Sequence, residues 1–436
     1  MQRKQGNIDM KILIKNGRII DPASKTDKVA DLLLENGLVA GINSNIPSDK
    51  ADEVIDAEGK VVCPGFIDLH VHLREPGFEG KETIESGCKA AAAGGFTTIC
   101  PMPNTNPAAD NLPVIDFVKN TAAKVSPIRV LPIAAITKGR KGQELSPMGE
   151  LAEAGVAGFS DDGDYVSNSS MLLHALLYSR TFDLPVMEHC EDACLAEGGV
   201  MNEGLLACRL GLKGIPDAAE EIALSRDIAL AKESGGRLHL CHISTAGSVE
   251  LVRRAKATGI QVSAEITPHH LTLTESEVSG YNTSAKVNPP LRTQSDIEAL
   301  ITGLKDGTID AIATDHAPHT ANDKLCEFGL AANGISGLET AFASLMGLVH
   351  SGSISLNLLI EKLTLGPQQV LGEKHKDIGN LKPGSSADVV IFDPDEEWTV
   401  DTARFFSKGK NTPLEGRRLK GRVKTTIACG RIAYRE

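Results

Sequence analysis

From Val61 to Gly372 the chain alternates short apolar runs with segments whose apolar residues recur at helical spacing. Eight of the runs read as strands: "GFIDLHVHL", "FTTICPMPN", "IRVLPIAAIT", "GVAGFSDDG", "LPVMEHCED", "RLHLCHIST", "IQVSAEITPHH" and "IDAIATDHAPH". Between them lie helical patterns such as "KETIESGCKAAAAGG", closed by Gly94-Gly95 as a C-cap, and "DAAEEIALSRDIALAKESGG". Strands that alternate with helices pair in parallel, and eight such units predict a closed (β/α)8 TIM barrel rather than an open doubly wound sheet. The fifth unit is the longest, with roughly fifty residues between His189 and His242, which predicts an inserted loop or extra helix there.

The two ends of the chain follow another pattern. From Met10 to Val62 the runs "KILIKNGRII", "DLLLENGLVAGI" and "EVIDAEGKVVC" are short strands, with Asn16-Gly17 and Asn36-Gly37 as hairpin dipeptides. "ADVVIFDP", "WTVD" and "KTTIACGRIAY" repeat the style near the C-terminus. The expected architecture is α/β: residues 61–372 form the barrel, and residues 1–60 and 373–436 build one composite β-sandwich domain. The nine residues before Met10 read as a dispensable extension.

The segment "PGFIDLHVHLREPG", Pro64 to Gly77, is where pattern turns into chemistry. Side chains alternate along a strand, so Phe66, Asp68, His70 and His72 are expected on one face and Ile67, Leu69, Val71 and Leu73 on the other. An isolated His-x-His is equally well two satisfied histidines in a strand. In a (β/α)8 barrel, however, active sites lie at the carboxyl ends of the strands, and here those ends are loaded with polar groups. The first carries His70, His72 and Arg74, the second Asn104, the fourth Asp161 and Asp162, and the fifth His189. The sixth ends in His242, the seventh in His269 and His270, and the eighth in Asp315 and His319. This exceeds what one tetrahedral zinc ion needs, and predicts two ions joined by a shared carboxylate and a hydroxide. His174 lies mid-helix in "SSMLLHALLYS" and is expected to have no function. Cys190, Cys194 and Cys241 are expected to pack into the barrel wall, and Lys89 and "RRAK" (Arg253 to Lys256) to be solvated helix faces.

Composition narrows the class. Aromatic residues are 4% of the 436, so the interior must be built from Ala, Val, Ile and Leu, which suits tight helix–sheet packing. A formal net charge of −12 argues against nucleic acid or an anionic membrane as partner. The nine cysteines, odd in number and without a CxxC pair, predict reduced thiols. The opening "MQRKQGNIDM" lacks the apolar segment of a signal peptide, and no stretch is long and apolar enough to span a bilayer, so a soluble, cytoplasmic protein is expected.

Taken in order, "PGFIDLHVHLREPG", "MPNTNP", "FSDDG", "EHCED", "CHIST", "VNPPLR" and "ATDHAPH" resemble the motif series of the amidohydrolase superfamily, and within it the bacterial type I dihydroorotases. The resemblance runs from Met10 onward and includes "GLET" (Gly337 to Thr340) and "SKGKNTPLEG" (Ser407 to Gly416). It implies reversible, zinc-dependent conversion of N-carbamoyl-L-aspartate to (S)-dihydroorotate and water, a step of pyrimidine (UMP) biosynthesis. It makes His70, His72 and Asp315 ligands of one zinc and His189 and His242 ligands of a second. Many superfamily members bridge the pair with a carboxylated lysine; "GVAGFSDDGD" has none, and the family's aspartate at that point matches Asp162, with Asp161 as the alternative, because alternation lets only one of the two face the metals. Asp315 is then also the catalytic proton carrier. Arg74, with Asn104 and His319, would bind the α-carboxylate of the dianionic substrate, and His72 would line the same space. Asn288 would meet the ureido or ring amide edge. Asn333 and Gly334 would offer backbone contacts, although "FGLAANGI" is longer than the family's spacing and an asparagine replaces the usual Pro or Phe before that glycine. The resemblance allows a homodimer or a complex with aspartate transcarbamoylase. Two rival readings are another cyclic amidase, allantoinase or dihydropyrimidinase, which favour the lysine bridge, and a non-catalytic scaffold for the transcarbamoylase, which would have lost ligands.

Overall fold

The computed structural model describes residues 10–436; the extension before Met10 lies outside the described residues. Eight parallel strands form a barrel: Phe66–Val71, Phe96–Pro101, the pair Arg129–Val130 and Ile133–Ala134, Gly158–Phe159, Val186–Glu188, Leu238–Leu240, Val262–Ile266 and Ala311–Ile312. The third is split at Pro132, whose missing N–H cannot serve a ladder. Its first half pairs with the second strand and its second half with the fourth. The first and eighth strands meet through a single parallel bridge, Val71 opposite His316, where the His72 N–H donates to the His316 carbonyl at 2.9 Å.

The simple alternation expected for the first strand does not survive this closure. The pairing with Phe96–Pro101 shifts register between Phe66 and Ile67 and again between Asp68 and Val71. Ile67 and Leu69 join the cluster inside the barrel with Cys100, Ile133, Met187, Cys241 and Ala311, whereas Phe66 and Val71 pack outward with helix residues such as Ile84 and Leu345. A β-bulge re-aims side chains in this way, and here it turns both His70 and His72 toward the same centre.

Helix Ile84–Ala93 starts in a capping box between Thr83 and Ser86, and Asp217–Ser234 stops at Gly235, whose φ of +62° suits glycine. The long interval before Asp217 holds helices Ala193–Ala196 and Leu205–Leu210 and the ribbon of Met201–Asn202 with Gly214–Ile215. Both chain ends enter one eight-stranded sheet. In it Lys11–Asp21 pairs with Thr26–Glu35, with Glu53–Asp56 and with Val61–Pro64, and Val61–Pro64 pairs in turn with Val389–Thr399. The hydrogen bonding joins all eight strands in a single sheet over its own core of residues such as Ile12, Leu32, Val62, Val389 and Ile427, each fully buried side chain contributing about 2 kcal/mol. Among the described residues no helix is long and apolar enough to cross a membrane, and all nine cysteines are free.

Candidate metal centre and active site

At the carboxyl mouth of the barrel the imidazoles and acids from five strand ends crowd together. His70 Nε2 lies 3.1 Å from Asp162 Oδ1 and 3.6 Å from Asp315 Oδ1. His72 Nε2 lies 3.0 Å from Asp315 Oδ1 and 3.6 Å from Asp162 Oδ2, and His242 Nε2 is 3.7 Å from Asp162 Oδ1. His189 Nδ1 faces His242 Nε2 at 3.0 Å. Donors on a tetrahedral zinc with bonds of about 2.1 Å stand about 3.4 Å apart, which is the scale of these separations. His70 Nε2 is buried without a hydrogen-bond partner beside Asp162 and Asp315. A cation would give that nitrogen a partner, so the donor set fits a metal centre. Of three groups of donors that could each hold an ion, two meet here, His70 with His72 and Asp162, and His189 with His242 and Asp162, with Asp162 common to both; the third is His70 with Cys241 and Glu265.

Electrostatics agree. Burial works to raise the Asp315 carboxyl, but the His72 hydrogen bond and the charges of His70, His72 and His242 outweigh it and hold it well below the usual carboxylate range. Asp162 behaves alike: burial raises it, and His70 and His242 pull it far down. Both are therefore acceptors only. The mouth is also strained. Arg74, His242 and Asp315 have φ of 61°, 35° and 45°, the left-handed region that costs a non-glycine residue about 1 kcal/mol or more.

A cavity of about 220 Å³ opens over the cluster, lined by Arg74, Asn104, Asn288, His319, Asn333 and Gly334 among others. Asn104 is already engaged, its Oδ1 accepting from His72 Nδ1 at 2.9 Å and its Nδ2 donating to Asp162 Oδ2 at 3.3 Å. Asn288 Nδ2 lies 3.5 Å from His189 Nε2, and its Oδ1 is buried without a partner. His319 donates from Nε2 to the Asn333 carbonyl at 2.8 Å and accepts at Nδ1 from Lys81 Nζ at 3.3 Å. Burial, then Arg74 and Lys81, push this imidazole down to about 3, so it is neutral. Among the described residues the Arg74 guanidinium makes one hydrogen bond, Nε to the Pro318 carbonyl at 3.4 Å, and no ion pair. A larger cavity of about 300 Å³ lies between Phe342 and Trp398, against the terminal sheet, and holds none of the strand-end residues.

Other strand-end groups turn elsewhere. Asp161 accepts from the Thr137 N–H at 3.0 Å and from the Thr137 hydroxyl, outside the cluster. His270 is tied to Thr267 Oγ1 at 2.8 Å and the Pro289 carbonyl at 3.0 Å. His269 is buried with Nε2 unpartnered and borders a small apolar space beside Leu273 and Ile335. Cys241 is buried next to His70, Cys190 contacts Asp227, and Cys194 is exposed rather than packed into the wall. His174 is exposed on helix Ser169–Arg180.

Residues 59–248 match the family model described as "Dihydro-orotase-like". The dihydroorotase of Caldanaerobacter subterraneus subsp. tengcongensis is 51% identical over 428 residues, which cover 98% of each chain. The chain belongs to the dihydroorotase family. A second member, from Syntrophus aciditrophicus, is 47% identical over 98% of this chain and 100% of its own. Among solved structures, the L-hydantoinase (dihydropyrimidinase) of Arthrobacter aurescens superposes with a TM-score of 0.87 at 27% identity, covering 97% of this chain and 96% of that one. Hydantoinases thus share the fold and a quarter of the residues, while dihydroorotases share half. Like them, this family member is a hydrolase of cyclic amides.

Sequence reasoning passed over residues that hold the dihydroorotase cluster in place. Glu265, inside the seventh strand, accepts from His70 Nδ1 and from His239 Nε2, both at 3.1 Å, and His239 Nδ1 meets Ser263 Oγ at 2.8 Å. A carboxylate in a strand must find a donor if buried, and that was the available signal. Lys324 reaches the carbonyls of Thr283 at 3.0 Å, Lys286 at 3.1 Å and Ala332 at 2.6 Å, tying the stretch after the eighth strand to the one that carries Asn288. No sequence signal pairs those segments.

Proposed function

We propose that this dihydroorotase family member interconverts N-carbamoyl-L-aspartate and (S)-dihydroorotate plus water in pyrimidine biosynthesis, with two zinc ions held by His70, His72 and Asp315 and by His189 and His242, and with Asp162 shared between them. The observation that carries the substrate class is Arg74: a half-buried, permanently charged fork beside the acid–imidazole cluster, lining the cavity and, among the described residues, lacking a carboxylate of its own. The substrate's α-carboxylate supplies that partner; hydantoin, allantoin and dihydrouracil rings carry none. Bound zinc supplies Lewis acidity and lowers the pKa of water.

The chain's own groups do the rest. Arg74 fixes one end of the ring, and Asn288, with its free buried Oδ1, accepts from the amide or ureido N–H. Asp315, ionised and 3.0 Å from His72 Nε2, takes a proton from the attacking water and delivers it to the ring nitrogen as the amide C–N bond breaks; in synthesis the proton travels back. His72 and Asn104 hold Asp315 and Asp162 in register. His319, Asn333 and Gly334 complete the carboxylate end of the cavity.

This reading keeps the division expected at 1–60, 61–372 and 373–436 except at its first boundary, where Val61–Pro64 goes with the terminal sheet on its pairing. It places the enzyme in the cytoplasm, as a homodimer or with aspartate transcarbamoylase, which gel filtration with and without the transcarbamoylase separates. The deciding experiment incubates the purified protein with dihydroorotate, allantoin and dihydrouracil and measures bound metal by mass spectrometry. Turnover of dihydroorotate with about two zinc ions per chain is expected. Turnover of allantoin or dihydrouracil alone would replace the proposal with a rival amidase, and an intact metal centre with no turnover would favour the scaffold.

A further inference from the structure

The C-terminal motif "SKGKNTPLEG" lies far in sequence from the barrel mouth, yet its first half is strapped across it. The N–H groups of Phe406 and Ser407 both donate to Glu339 at 3.0 Å. Ser407 Oγ donates to Glu82 Oε2 at 2.5 Å, and the Lys408 N–H to Glu82 Oε1 at 3.2 Å. At Gly409 the strap lies so close to the barrel that an added Cβ would sit 2.4 Å from Pro318 Cβ. Two residues on, Asn411 is 5% exposed and uses its whole amide. Its Oδ1 accepts from the His319 N–H at 2.9 Å and from Ser336 Oγ at 2.8 Å. Its Nδ2 donates to the carbonyls of Ala317 at 3.0 Å and Gly334 at 2.9 Å. The Asn411 carbonyl also accepts from the Ser336 N–H at 2.8 Å.

These contacts have one effect in common. They clamp together two loops, 317–319 and 334–336, which supply His319 and Gly334 to the cavity, and between Ala317 and His319 stands Pro318, whose carbonyl accepts from Arg74 Nε. Four hydrogen bonds to one small amide fix the loops in both separation and tilt, since an amide offers donors and acceptors at set angles. A purely apolar filler would leave two carbonyls, an N–H and a hydroxyl buried and unpaired.

We propose that Asn411 is a positioning residue for the carboxylate end of the substrate, setting the loops of His319 and Gly334, and through Pro318 the reach of Arg74, without itself touching substrate. The inference rests on the proposed role of that end of the cavity, so the test includes a variant for each. Asn411→Asp keeps the volume and both acceptor contacts but sets a carboxylate against the carbonyls of Ala317 and Gly334; Asn411→Ala removes all four bonds. Steady-state kinetics with dihydroorotate and bound zinc are measured for both, and for His319→Ala. The expected result is a KM about tenfold or more above the parent in Asn411→Asp, with kcat within about threefold and zinc unchanged, because ground-state and transition-state binding are lost together and the metal ligands are untouched. Asn411→Ala should exceed that if it folds, and Asn411→Asp carries the test if it does not. If His319→Ala raises KM while folded Asn411→Asp keeps the parent KM, whatever its kcat, the proposal is overturned and the cavity reading stands. If His319→Ala leaves KM unchanged, the cavity reading falls and takes the proposal with it.

Discussion

Replacing Arg74 by Met separates binding from stability in opposite directions. In the free protein the guanidinium is half-buried and, among the described residues, donates only to the Pro318 carbonyl and has no ion pair; the desolvation lowers its pKa more than Asp315 and Asp162 raise it. For a base, a lowered pKa means that the folded state disfavours the charged form, so at neutral pH the cation is on balance a burden to the fold. Met fills most of the same space without charge, and the melting temperature is expected to stay level or rise. Binding behaves otherwise. A bidentate guanidinium–carboxylate contact consists of two charge-assisted hydrogen bonds, each worth about 1.5–3 kcal/mol. Allowing for desolvation of both partners, a net loss of about 3 kcal/mol is reasonable, or roughly a 100-fold fall in kcat/KM at 1.36 kcal/mol per decade. Most of it should appear in KM, since the carboxylate is remote from the bond that breaks. The assay is dihydroorotate hydrolysis at saturating and subsaturating substrate, beside a thermal melt. An unchanged KM, or a melt lowered by many degrees with KM intact, would refute the carboxylate role and make Arg74 a structural cation.

Asp315→Asn should retain bound metal, because His70, His72 and Asp162 remain, and lose at least about 10³-fold in kcat; metal mass spectrometry with single-turnover assays checks both, and full activity would remove Asp315 as proton carrier. Glu265→Gln withdraws the charged acceptor from His70 Nδ1 and His239 Nε2, and a 10- to 100-fold loss of metal affinity is expected by competition with a chelator, roughly the usual cost of losing a histidine's supporting carboxylate. Glu339, which accepts from Phe406 and Ser407, is pushed by burial up to about 7. With a folded pKa above its unfolded one, its contribution is full below the ordinary glutamate range and is lost as pH rises through about 7. The melting difference between the protein and Glu339→Gln should therefore shift against the parent between about pH 5 and 8, and a difference flat in pH would count against it.

The parts of the site that could be read from the chain are those whose chemistry is local. His70 and His72 announce themselves as two nitrogen donors at a strand end, and alternation says that one of Asp161 and Asp162 must turn away without saying which; in the fold Asp161 does, toward Thr137. The members of the acid–imidazole cluster could be picked out at strand ends because the fold class dictates where a barrel keeps its chemistry. What stayed hidden depends on geometry that alternation cannot express. The bulges in the first strand overrode the expected two-faced pattern, splitting Ile67 and Leu69 from Val71, since closing the barrel at His316 matters more than a regular pleat. The positive φ of Arg74, His242 and Asp315 leaves no trace in residue type. His269 and His270 sat at a strand end and still join neither donor group, because their strand runs into the short helix Pro268–Thr272. Glu265 and Asn411 act on partners 195 and 92 residues away, and only tertiary packing brings such pairs together.

The terminal sheet has a consequence for how the molecule is made. Val61–Pro64 leaves the ribosome more than three hundred residues before its neighbour Val389–Thr399, a wait of roughly 20–60 s at 5–20 residues per second. During that time an oily ribbon with one bare edge is exposed to every other nascent chain, and translation speed, temperature or a stalled message decides whether it waits safely or sticks. Bringing the two ends closer in time, by circular permutation that opens the chain in an exposed barrel loop, should raise the soluble yield without touching a single catalytic group.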